Sequence, residues 1–240
     1  MSHSTQTVLS TSFSHPRLLM YSLKRIFHLL FRFDRIYITI NHIFLHSPGI
    51  LYMNMRVVGI AGSLRIESLN KKLLRASEKI LKEIDPSVEY TELDLKTIAL
   101  PVYDQDIQDA RMPENVLQFK SAIQNSDLVI ISTPEYNHSI PGGLKNAIDW
   151  ASRGDKNSFA NKVVAIMGAT DGMGGTIRSQ EHLRVALATL NSFTIPYPEV
   201  FIRQAQNKLD EQGNFADDKG ISQIRKLLER AITVTKKLQS

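Results

Sequence analysis

From Met55 onward, runs of apolar residues alternate with stripes of apolar residues at helical spacing. "RVVGIAG" (56–62), "DLVIIST" (127–133) and "KVVAIMGAT" (162–170) are short continuous apolar runs, as expected of strands buried on both faces. "SVEYTELDL" (87–95) alternates polar and apolar positions and predicts a half-exposed strand. "FTIPYPEVFI" (193–202) predicts a fifth strand interrupted by prolines. Between these runs the period changes to that of a helix. Leu69, Leu73, Ala76, Ile80 and Ile84 share one face of a helix over 68–84, which Asp85-Pro86 stops. Further helices are predicted from Pro113 to about Asn125, over 141–152, over 176–190 and from Asp217 to about Leu238. Ile221, Ile224, Leu228, Ala231 and Leu238 form the stripe of the last one. The segment "TIALPVYDQDIQDARMP" reads as a long loop.

Strands that alternate with helices make a parallel sheet covered on both faces. Right-handed crossovers leave two common doubly wound orders. The first loop, Gly59-Ile60-Ala61-Gly62-Ser63-Leu64, lacks the G-x-G-x-x-G of a dinucleotide fold. Five strands without a second half predict the flavodoxin-like order 2-1-3-4-5. In that order a ligand is expected outside the carboxyl ends of strands one and three, at the switch point.

Composition changes this picture at one end only. Residues 1–54 hold five basic residues (Arg17, Lys24, Arg25, Arg32, Arg35) against Asp34, while the remaining 24 basic and 23 acidic residues leave the body nearly neutral. The first segment has no Glu and five of the seven histidines, and no residue from Ile36 to Met55 carries a formal charge. Asn41, two histidines and Pro48 make it a poor membrane span. An extension without a folded role, an organellar presequence and a membrane-surface anchor all fit it. We read 1–54 as an N-terminal extension outside the fold and 55–240 as the folded domain. No basic run interleaved with aromatics suggests nucleic acid. The chain has no cysteine, which removes disulfides and thiolate chemistry and fits a reducing compartment. A cytoplasmic location is expected.

Three loops fall on one edge of the predicted sheet. "GSLRIESLN" (62–70) leads into a helix N-terminus, where free N–H groups and the helix dipole favour a phosphate. Ser63, Ser68 and Asn70 offer hydrogen bonds there and Arg65 a charge. A plain helix cap at Ser68 and a solvated Arg65 fit the same residues equally well. "PEYNHSIPGGLKNAIDW" (134–150) follows strand three with flat and polar side chains, then two glycines. Backbone amides and a tyrosine ring suit the border of a planar heteroaromatic ligand; a rigid β–α turn suits the same residues. His138 has no second histidine or cysteine placed to form a metal site or a triad. "GATDGMGGTIRSQEHLR" (168–184) carries Gly172, Gly174 and Gly175, which permit close approach of backbone to a ligand.

These three motifs, in this order and spacing, resemble the NADPH-dependent FMN reductase family of flavodoxin-like oxidoreductases, whose members include flavin, quinone, azo and chromate reductases. The resemblance spans 55–240. It implies that the ligand is FMN, with NADPH or NADH as co-substrate and a small-molecule electron acceptor. Ser63, Arg65, Ser68 and Asn70 are then expected at the phosphate. Pro134, Glu135, Tyr136 and Asn137 are expected to frame the isoalloxazine, largely through backbone groups. Gly168, Ala169, Thr170 and the Gly174–Gly175 turn are expected at its other edge. Asp171 departs from the small-residue pattern of many members, and His138 stands where members vary. The resemblance implies hydride transfer through the flavin with no catalytic side chain and no metal, and a homodimer or homotetramer. Trp150, Arg178 and His182 fit either a subunit boundary or ordinary packing and exposure. A non-enzymatic flavodoxin-like electron carrier, a flavin-free signalling receiver and an inactive FMN-binding protein are the other readings. The near-neutral body argues against the first, and the absence of an acidic cluster after strand one argues against the second.

Overall fold

A computed structural model describes residues 54–239. The expectation for the N-terminal extension falls on residues outside these. The buried apolar runs form β1 (Arg56–Ala61), β3 (Leu128–Ser132) and β4 (Val163–Ala169), and the alternating run forms β2 (Glu89–Leu93). Together with β5 (Phe193–Thr194) they pair in parallel, in the order β2-β1-β3-β4-β5. Register is fixed by side chains that face alternate sides, because a slip of one residue would exchange the two cores. Leu128 and Ile130 join one core, while their neighbours Val129 and Ile131 join the other.

The two faces are covered by different helices. On one side lie α1 (Leu69–Ile84) and α7 (Asp218–Gln239), which bury Leu73, Leu74, Leu81, Ile224, Leu227 and Leu228. On the other lie α4 (Glu114–Gln124), α5 (Gly142–Ser152) and α6 (Ile177–Thr189), with Phe119, Ile123, Leu144, Ile148, Leu183 and Leu187. Trp150 is fully buried in α5, donates Nε1–H to the Pro101 carbonyl at 2.8 Å and meets Tyr103 edge-on at 4.9 Å. It belongs to the packing of the domain.

Three sequence expectations are revised. The predicted loop after β2 contains two short helices, α2 (Leu95–Ile98) and α3 (Gln105–Ala110), each started by an aspartate that caps its first turn, Asp94 and Asp104. The predicted fifth strand is two pieces, β5 (Phe193–Thr194) and β6 (Val200–Ile202). Both pair with β4, at opposite ends of it. Pro196 and Pro198 lie between them and cannot donate to a ladder. Leu238, assigned to the buried stripe of the last helix, is about half exposed in the final turn.

Candidate functional site

The loops after β1, β3 and β4 open on the carboxyl edge of the sheet, around the β1/β3 switch point. The loop after β1 starts at Gly62, whose N–H still donates to Ser132. Ser63 is buried, and Leu64, Arg65, Ile66 and Glu67 are exposed. Ser68 is the N-cap of α1: its Oγ accepts from Asn70 N at 3.2 Å and Lys71 N at 3.4 Å. Among the described residues nothing accepts from the N–H groups of residues 64 and 66–68.

Asn70 is buried, and its side chain turns inward, away from the loop tip. Its Nδ2 donates to Ala169 O at 2.9 Å, while Oδ1 accepts from Ala169 N at 2.9 Å and Ser132 Oγ at 3.0 Å. One amide thus ties α1 to the last residues of β3 and β4. Beside it, Lys71 is also buried and meets Asp94 at 2.9 Å. Burial pushes the Asp94 carboxyl up, but hydrogen bonds from Lys71 and from Lys96 N, with the Lys71 charge, hold it below the ordinary carboxylate value.

The loop after β3 folds back on itself. Tyr136 and Ser139 exchange both backbone hydrogen bonds, at 3.1 and 3.0 Å, with Asn137 and His138 at positive φ at the tip. This is a two-residue turn of the kind that Asn favours and His tolerates less readily. Pro134 is buried, and Tyr136, Asn137 and His138 are exposed. Tyr136 Oη lies 3.4 Å from Ser63 Oγ, which joins this hairpin to the loop after β1. Glu135 is largely buried. Its Oε2 accepts from Arg178 N at 3.0 Å and Ser179 N at 3.3 Å, and Arg178 Nη1 lies 3.3 Å from Oε1. Ser139 Oγ meets His182 Nδ1 at 3.0 Å. Arg178 and His182 are therefore engaged with the hairpin. Pro141 then starts α5 without a side-chain cap, and Gly142 and Gly143 stand exposed at the helix N-terminus.

The loop after β4 passes close behind. At Gly168 a Cβ would lie 2.0 Å from Thr176 Oγ1 and 2.5 Å from the Thr133 carbonyl oxygen, so only glycine permits the approach of the two loops. Ala169 is buried and Thr170 partly so. Residues 171–174 are exposed, with Met173 among the most exposed apolar residues. Gly175 and Thr176 both adopt the left-handed conformation, at φ of 64° and 67°, and deliver the chain into α6. For a β-branched residue this is a strained position.

The structure thus brings Ser63, Ser68, Pro134, Glu135, Tyr136, Gly168, Ala169 and Thr170 to one edge, with Arg65, Asn137, Gly174 and Gly175 on the same three loops. Two clefts among the described residues open elsewhere. One, of about 230 Å³, lies between α1 and the 212–215 turn. The other, of about 530 Å³, lies beside Lys156 and Lys162. Glu67 alone of the three loops lines either of them. No helix of the described residues is long and apolar enough to cross a membrane.

Sheet order defines a flavodoxin-like α/β protein, with the three loops at its β1/β3 switch point. More particularly, the chain belongs to the NADPH-dependent FMN reductase family, whose model matches residues 55–207. An NAD(P)H-dependent FMN reductase of Pseudomonas aeruginosa is 39% identical over 176 residues, which are 73% of this chain and 92% of that protein. A quinone reductase of Escherichia coli K12 is 40% identical over 168 residues, 69% of this chain and 87% of its own length. Among solved structures, a flavoenzyme NAD(P)H:(acceptor) oxidoreductase from Paracoccus denitrificans superposes with a TM-score of 0.68 at 33% identity, over 76% of this chain and 98% of that one.

Proposed function

We propose that the three loops hold FMN in an NAD(P)H-dependent oxidoreductase, with quinone, flavin or a similar small molecule as acceptor. The observation that carries the reading is the set of N–H groups at the carboxyl edge that no described residue satisfies, at positions 64 and 66–68, beside the exposed Arg65. Unsatisfied N–H groups at a helix start, with a guanidinium at hand, are the donor set that a phosphate takes. The residues present fit the group.

Ser63, Arg65 and the amides up to Ser68 would hold the phosphate. Ser68 caps α1 at the same time, so the two readings of that residue are compatible. Asn70 enters as the brace that keeps the first loop against β3 and β4, because its own amide is engaged there. The backbone of 134–137 and the Tyr136 ring would border the flavin, and Gly168 to Thr170 with Gly174 and Gly175 its far edge. The chemistry that the flavin supplies when bound is hydride uptake from NAD(P)H and delivery of electrons to the acceptor. The protein's part is to bind, to orient and to tune. Leu64, Ile66, Tyr136 and Met173 are exposed on the three loops and offer apolar surface to an acceptor or a second subunit. A homodimer or homotetramer and a cytoplasmic setting are part of this proposal.

The test is an absorbance spectrum of the purified protein, supplied with FMN where needed, before and after addition of NADPH or NADH without oxygen. Flavin bands that bleach with either nucleotide and return on addition of a quinone are expected. A protein that takes up no FMN would overturn the reading. Light scattering on the same sample reads the oligomeric state.

A further inference from the structure

Glu135 has its backbone in the hairpin loop, yet its carboxylate turns away toward α6. There it accepts from the N–H groups of Arg178 and Ser179 and pairs with the Arg178 guanidinium. Thr176, the N-cap of α6, is held in the left-handed conformation and makes no side-chain capping bond. The helix therefore begins without a cap of its own, and Glu135 supplies one from 43 residues upstream. A carboxylate is the group that a helix N-terminus favours most, and its bonds here are charge-assisted.

A second attachment lies one helical turn further on, where Ser139 Oγ meets His182. The two attachments stand on either side of the Asn137-His138 tip, so α6 grips both legs of the hairpin. The far side of the hairpin reaches the β1 loop through Tyr136 Oη and Ser63 Oγ. Position therefore passes from α6 through Glu135 to Tyr136 and on to Ser63. His138 Nδ1, on an exposed ring, lies 3.6 Å from Glu135 and is, among the described residues, the one other titratable group at the carboxylate.

We propose that Glu135 is a positioning residue for cofactor binding: as the cap of α6 it fixes the hairpin at 134–139 relative to the other two loops. The inference rests on the flavin reading for its functional consequence, and on the hydrogen bonds alone for its structural one. It goes beyond an expected backbone role for Glu135, since it assigns the work to the side chain.

Three variants test it. Glu135→Ala removes cap and ion pair. Glu135→Gln keeps an oxygen for the α6 amides but loses the charge. Asp85→Asn, at the opposite end of α1, weakens the bonds to Ser87 and serves as a control of general stability. Amide hydrogen exchange is measured on flavin-free protein, and FMN affinity by fluorescence titration. Glu135→Ala is expected to speed exchange at residues 136–139 and 178–179 about tenfold and to weaken FMN by about tenfold, the scale of losing charge-assisted bonds. Glu135→Gln is expected to weaken FMN by about threefold, as one accepting oxygen persists. Asp85→Asn is expected to change neither quantity. Unaltered exchange at these residues in Glu135→Ala, or an equal loss of FMN affinity in the Asp85 control, would overturn the proposal. Faster exchange in a protein that takes up no FMN even as wild type would uphold the clamp and sink the flavin reading instead.

Discussion

At the amino edge of the sheet, α4 and α5 end against lysines. At the carboxyl edge, α1, α5 and α6 begin beside loops that leave N–H groups unspent. Lys120 is buried, and its Nζ donates to the carbonyls of Ala151 in the last turn of α5 and of Arg153 and Lys156 beyond it. Lys162 Nζ does the same for Gln124 and Ser126 at the end of α4, at 2.6 Å to each. Cations at helix C-termini complement the dipole and close orphan carbonyls. Burial pushes both lysine pKa values down, opposed by Asp155 at Lys120 and by Asp127 at Lys162. One edge is thus completed by the chain's own charges. The other is completed only in part: by Ser68 at α1 and Glu135 at α6, and by no side chain of the described residues at the start of α5. A fold that caps its helices at one end thus leaves donors unspent at the other, where the proposed flavin would sit.

Breaking one brace at each edge separates stability from binding. Asn70→Ala would leave Ser132 Oγ and both backbone groups of Ala169 without their partner, at a cost of about 3 kcal/mol. Lys120→Met would leave three carbonyls to find water and cost about 2 kcal/mol, since the burial of the charge is relieved in part. Urea unfolding is expected to show both losses. Flavin titration is expected to show one, with FMN affinity falling in Asn70→Ala and staying at the wild-type value in Lys120→Met. Equal effects on FMN would mean that the edges are not independent.

How much of this was legible in the sequence depends on the distance of the partner. The buried strands were, because runs such as "LVIIS" (128–132) have no polar face to confuse the period. So was the edge on which the three loops open, because it follows from which loops succeed β1, β3 and β4. The short helices α2 and α3 were hidden, since four and six residues cannot show a helical stripe; Asp94 and Asp104 were the only signal. The prolines announced an interruption after Phe193 but not that both fragments pair with β4. The uses of Asn70, Glu135 and Lys120 were not readable. Their partners lie 62 and 99, 43, and 31 to 36 residues away, and each residue type is as common on a surface as in a brace.

Acid sharpens the contrast. The carboxyl edge holds the Lys71–Asp94 pair, and the Asp94 carboxyl stands below its ordinary value. Its contribution to stability is therefore fully present above the unfolded carboxylate pKa of about 3.9 and is lost as pH falls through the lower folded value. Asp94→Asn is expected to cost about 1 to 2 kcal/mol at neutral pH, because Lys71 stays buried with a weaker partner, and to flatten the acid limb of stability against pH. The amino-edge lysines bond carbonyls, which do not titrate. Lys120→Met should therefore shift the acid and neutral parts of the profile together and leave the acid limb as steep as in the wild type. Its slope should change only at the alkaline end, where Lys120, its pKa lowered by burial, loses its proton.

The smallest effect bears on Ser68, where the cap and the phosphate meet. Its hydroxyl accepts from Asn70 N and Lys71 N, and its removal in Ser68→Ala should cost about 1 kcal/mol without flavin. A ligand that binds only the folded protein adds stability in proportion to the logarithm of its concentration over its dissociation constant. If Ser68 only caps α1 and the capped geometry survives the change, FMN adds the same increment to wild type and variant. The loss then stays near 1 kcal/mol at every flavin concentration. If the same side chain also serves the phosphate, FMN binds the variant about fivefold more weakly, and the loss grows by about 1 kcal/mol once flavin saturates both proteins. Thermal unfolding at zero and at saturating FMN measures the difference directly. An unchanged loss would confine Ser68 to its helix and shift the phosphate onto the backbone amides and Arg65.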